Sequence, residues 1–89
     1  MKTPNGPIEK IKTIDEFDRI QKGNRGYIVV TDSASPNIVH RPTCPQINTR
    51  FFKLKVIDNA CKDGQYFWVS DIDLGIKVFN AFECLVCLR

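Results

Sequence analysis

The sequence predicts an α+β fold: a small antiparallel sheet with two short helices, closed near its C-terminal end by a cluster of metal-ligating side chains. Three observations predict it. Short β-branched and aromatic runs alternate with turn residues. Two amphipathic segments carry helix start and stop signals. The pairs His40-Arg-Pro-Thr-Cys44 and Cys84-Leu-Val-Cys87 each have the spacing of a chelating turn.

Residues 1 to 7, with two prolines and a glycine, read as a flexible leader to a single small domain spanning 1–89. Thr13-Ile-Asp-Glu16 is a capping-box sequence. Ile14, Phe17 and Ile20 follow at helical spacing and Gly23 supplies a stop, predicting a helix over 14–22. Tyr27-Ile-Val-Val-Thr31 reads as a buried strand. Asp32-Ser-Ala-Ser-Pro36 is turn chemistry, and Asn37-Ile-Val-His40 returns as the hairpin partner, delivering His40 at its end. Pro42 and Pro45 bend the chain around Cys44.

Phe51 to Ile57 alternates partly and reads as a third strand. Asp58 to Gly64 then forms a hairpin loop, and Gln65 to Val69 a fourth strand. Ser70 is placed as the cap of a second helix over 71–79, with Asp71 and Asp73 at the positive end of its dipole and Asn80 as its left-handed stop. Ala81 to Cys87 closes the chain as a ligand knuckle.

One imidazole and three thiolates form a closed ligand set for structural Zn²⁺, with His40, Cys44, Cys84 and Cys87 as the ligands. His40 is the only histidine. At 89 residues with 43% apolar content, the chain can form a core with a thin stability margin. A structural zinc would add about 10 kcal/mol of apparent binding energy to folding. Cys61 reads as a free thiol. The alternatives are a Cys₄ set in which it replaces His40, and a redox or disulfide role. A four-cysteine disulfide scaffold is the competing reading of the whole set, and it leaves the His40–Cys44 spacing unexplained. Only Leu88 and Arg89 follow Cys87, so no helix can activate the Cys84–Cys87 pair as in a redox motif.

Met1 to Pro7 has no apolar core of the secretory kind, and no apolar run approaches membrane-spanning length. The expectation is therefore a cytoplasmic protein with no membrane partner, its thiols reduced. No Gly-rich phosphate loop is visible, and a Ser–His or Cys–His dyad would compete with the metal for the one histidine. A non-enzymatic role is expected.

The net charge of +3 is mild. Its distribution is more informative: residues 41–57 hold Arg41, Arg50, Lys53 and Lys55 and no acidic residue. Beside Phe51 and Phe52 these cations predict a contact face for DNA or RNA, with phosphates on the cations and bases on the rings. The bland reading is a core strand with solvated lysines on its other face.

The ligand turn and knuckle resemble small zinc modules of the Ada-like metal-binding type, over roughly residues 38 to 88. The order of ligand turn, aromatic strand, short helix and Cys-x₂-Cys knuckle is shared. The pattern also resembles His-x₃-Cys…Cys-x₂-Cys modules attached to nucleases and restriction-associated proteins, in which a strand like Gly26-Tyr-Ile-Val-Val30 precedes the histidine turn. The resemblance implies nucleic-acid association. It does not imply methyl transfer, because His40 stands where the repair protein has a cysteine, and Asp58 to Gly64 looks like an insertion. The expected function is a zinc-stabilised, non-catalytic nucleic-acid-binding module. The alternative is a zinc-stabilised protein-interaction or regulatory module.

Overall fold

The structure, a computed structural model, describes residues 8–62 and 64–88. The predicted leader and Asp63 lie outside the described residues. The elements in chain order are β1 (Ile8–Ile11), α1 (Ile14–Gly23), β2 (Tyr27–Val30), β3 (Ile38–His40), α2 (Thr49–Phe52), β4 (Tyr66–Val69), α3 (Ile72–Phe79) and β5 (Phe82–Glu83). A π-helical segment, Lys53–Asp58, continues α2 directly. The strands form one sheet in the order β1-β4-β2-β3-β5, antiparallel except for the β3–β5 pair. The fold is mixed α+β, as predicted.

Local chemistry explains the start and stop of α1. The Thr13 hydroxyl accepts from Glu16 N at 3.1 Å, and the Glu16 carboxylate accepts from Thr13 N at 3.1 Å. This reciprocal pair satisfies donors that a helix start leaves orphaned. Asn24, in the left-handed region at φ 49°, ends the helix. In α3 the cap is Asp71 rather than Ser70: its Oδ1 accepts from Leu74 N at 3.0 Å. Asn80, at φ 52°, is the predicted stop.

Helices cover both faces of the sheet. Alternation along β2 sends Ile28 to one face and Val29 to the other. On the first face, Phe17 of α1 stacks on Phe52 of α2 at 4.7 Å, and both meet Tyr66 of β4 edge-on. On the second face, α3 lies over Val29, Val39 and Val69. Gly75 permits that approach, since a Cβ there would stand 3.0 Å from a Val29 methyl and 3.3 Å from one of Val39.

The predicted third strand over 51–57 is helical. Asn48 Oδ1 caps it by accepting from Phe51 N at 2.9 Å. Phe52 and Val56, four residues apart, point inward at 0% and 7% exposure, while Leu54 is 53% exposed. A strand would have put Leu54 with them. The segment satisfies periods of both 2 and 3.6, and packing of Phe52 on Phe17 selects the helix. It follows that the stretch after Asp58 joins a helix to β4 and is no hairpin loop. Two strands went unpredicted. The polar interior of Ile8-Glu-Lys-Ile11 hides β1, which pairs with β4. At two residues, β5 is too short to carry a pattern.

Candidate metal centre

The hairpin places the first ligand. Ile28 of β2 pairs with His40 at the end of β3. The chain then turns, with Cys44 N donating to Arg41 O at 3.1 Å and Ile47 N to Cys44 O at 3.1 Å. Pro42 is buried within this turn. The knuckle arrives through β5, whose parallel register matches Val39 with Glu83. One residue further along each strand brings His40 beside Cys84, and Cys84 N donates to Val39 O at 2.9 Å.

The four predicted ligands come together. One ligand atom from each of His40, Cys44, Cys84 and Cys87 lies within 4.8 Å of all the others, and this set can hold a metal ion. The Cys44 and Cys84 sulfurs are 3.7 Å apart. All four cysteines are free thiols, so the disulfide scaffold is not formed. His40, Cys44 and Cys84 are buried and Cys87 is half-buried. Cys61 stands outside the cluster, its Sγ 3.9 Å from Val56 O.

Backbone amides serve the sulfurs. Gln46 N donates to Cys44 Sγ at 3.4 Å, Val86 N to Cys84 Sγ at 3.4 Å and Arg41 N to Cys87 Sγ at 3.2 Å. Such donors favour thiolate over thiol. No side-chain signal in the sequence marks them, because they are main-chain groups oriented by the two turns.

The electrostatics fit a cation. Burial pushes His40 down to about 4, leaving a neutral imidazole of the kind that ligates metals. Burial also pushes the Cys44 thiol up to about 12. In Cys84 burial acts upward, but amide donation from Cys87 and Val86 outweighs it and the thiol is lowered. His40 Nδ1 is buried with no hydrogen-bond partner. An orphaned ring nitrogen among three gathered thiols is costly, and a coordinated cation resolves that cost.

The predicted nucleic-acid residues do not form one free basic face. Lys55 Nζ pairs with Asp32 at 2.9 Å and donates to Thr31 O at 3.2 Å. Lys53 pairs with Asp58 at 3.3 Å. Arg50 is exposed on α2. Arg41 sits at the metal cluster, where its Nε donates to Cys87 O at 2.8 Å.

Two outcomes are expected here. Cys61→Ser should retain the same metal stoichiometry by elemental analysis and shift the thermal midpoint little, since Cys61 stands outside the ligand group. The Lys55 hydrogen bond, aided by the Ala34 amide, holds Asp32 below its usual range. The stabilisation from this pair is complete above the unfolded carboxylate value of about 3.9. It is lost as pH falls through the lower folded value. Asp32→Asn should therefore flatten the acid limb of a stability-versus-pH curve.

Compared with known proteins, the chain matches no family model, no curated protein and no solved structure. The Ada-like resemblance accordingly rests on the ligand pattern and on the cluster it forms. Among the described residues, no helix is long and apolar enough to cross a membrane.

Proposed function

We propose that this chain is a non-catalytic module, closed by one Zn²⁺ on His40, Cys44, Cys84 and Cys87, that associates with nucleic acid chiefly through arginine. The 3.7 Å spacing of the Cys44 and Cys84 sulfurs carries the zinc reading. Tetrahedral coordination with zinc–sulfur bonds of about 2.3 Å separates two sulfurs by roughly 3.8 Å. These four residues would hold the zinc as a closed set, and it would cross-link the β3 end to the knuckle with no position left for reacting water. The chain's own residues hold the sulfurs through amides, exclude solvent by burial and keep His40 neutral.

The partner reading rests on the net charge of +3 and on Arg41 and Arg50, both exposed and neither paired with a carboxylate among the described residues. The neutralised Lys53 and Lys55 narrow the contact to these residues. The competing protein-interaction reading is favoured by exposed apolar side chains near the knuckle: Phe82 at 62%, Leu85 at 76% and Val86 at 55%. Elemental analysis should find one zinc per chain. Fluorescence anisotropy with single- and double-stranded DNA and RNA at about 50 mM salt should show binding that weakens steeply with added salt. Absence of binding at that salt leaves the protein-interaction reading.

A further inference from the structure

We propose that a cleft beside the metal centre binds a phosphodiester together with a neighbouring hydrogen-bond donor, one nucleotide unit of a nucleic-acid strand. The proposal rests on the nucleic-acid reading above and gives it a location. The cleft has a volume of about 420 Å³ and is lined by Asn24, Gly26, Tyr27, Arg41, Ser70 and Asp71, with Pro42 from the ligand turn beneath. It lies where the end of α1, the start of α3 and the ligand turn converge.

Arg41 is the anion-binding group. Its backbone N is committed to Cys87 Sγ and its Nε to Cys87 O, which fixes the guanidinium against the knuckle. Among the described residues, Nη1 and Nη2 have no acceptor. A guanidinium held on one edge and free on the other meets a phosphate with little ordering cost. Ser70 and Asn24 add neutral polar residues to the lining. Arg25, between the lining residues Asn24 and Gly26, is exposed and adds positive potential nearby.

Asp71 selects the kind of anion. Its Oδ1 is used on Leu74 N as the α3 cap, and its negative charge lies in the same lining as Arg41. A dianionic phosphate monoester would meet that charge, whereas a phosphodiester carries a single negative charge. A hydroxyl or amino group adjoining the diester can donate to the carboxylate, and a sugar or base supplies one. Gly26, at φ 67°, is also part of the lining. A Cβ there would stand 2.4 Å from Val69 O and 2.7 Å from the Trp68 ring, so no other residue fits.

The anchor of Arg41 on Cys87 also couples the cleft to the metal. A zinc held by Cys87 would fix the knuckle that orients the guanidinium, so the zinc-loaded protein would be the binding form.

The test is amide NMR on zinc-loaded protein with three probes. These are a ten-nucleotide oligothymidylate, the dinucleotide TpT, and the uncharged methylphosphonate analogue of TpT. The expected result is shifts at Asn24, Gly26, Arg41 and Ser70 with the first two probes and none with the third. Tighter binding of the decamer than of TpT identifies a strand as the source, and equal affinity overturns the strand and leaves a short phosphodiester. Arg41→Ala should weaken oligothymidylate binding roughly tenfold and reduce the salt slope by about 0.7, at unchanged zinc content. Lys77→Ala should leave affinity unchanged. Decamer binding with shifts centred on Arg50 and no effect of Arg41→Ala overturns the cleft while leaving the nucleic-acid reading standing. No binding of the decamer overturns both.

Discussion

Cys84→Ala is expected to abolish stoichiometric zinc binding and to unfold the protein at ordinary temperature. Apparent zinc-binding energies of structural sites run to about 10–16 kcal/mol. The whole stability of a small domain is about 5–15 kcal/mol, so a site of this kind accounts for most or all of it. Cys84 is also the point where β5, the knuckle and β3 meet: its amide bonds Val39 O, its carbonyl accepts from Leu88 N, and its sulfur lies 3.7 Å from that of Cys44. Removing that sulfur takes one of the four ligand atoms from the cluster and leaves His40 and Cys44 buried beside an incomplete set. Circular dichroism and zinc analysis on the variant, and on wild type treated with chelator, should report the same loss of structure. A zinc-free variant that melts like the loaded wild type would refute the structural role.

Phe52→Ala is expected to cost about 3–5 kcal/mol, the range for truncating a buried aromatic. Phe52 is 0% exposed, stacks on Phe17 at 4.7 Å and meets Tyr66 at 5.1 Å, so truncation strips the centre of the first core face. Leu54→Ala, on the outer side of the same segment, should change stability by no more than about 0.5 kcal/mol. Urea unfolding of zinc-loaded protein measures both. The pair separates helix from strand, because a strand over 51–57 would bury Leu54 with Phe52 and make both truncations costly. Equal losses at the two positions would contradict the helical segment.

Much of the candidate site was legible in the sequence because ligation is a local problem at each pair. A His-x₃-Cys turn and a Cys-x₂-Cys knuckle set their own geometry within five and four residues, and two such pairs in one small fold have few other uses. The pairing of the basic residues was not legible for the opposite reason. Charge counted along residues 41–57 ignores partners from elsewhere, and Asp32, more than twenty residues upstream of Lys55, takes that cation out of the surface field. Arg41 remains available because its anchor is a carbonyl and not a carboxylate.

The sequence by itself determined the helix α1 with its capping box, the β2–β3 hairpin, the end of α3 at Asn80 and the identity of the four clustered side chains. Each of these rests on contacts between residues close in the chain, so the chemistry of a few neighbouring side chains suffices. Only the tertiary structure decided three things. Phe51 to Ile57 became helix because Phe52 finds Phe17 and Tyr66, residues distant in the chain, and the segment's own pattern fits both periods. The strand β1 exists because β4 offers it an edge to pair with. The two ligand pairs became one site because β5 adds parallel to β3, a long-range pairing that no local spacing encodes and that carries Cys84 to His40.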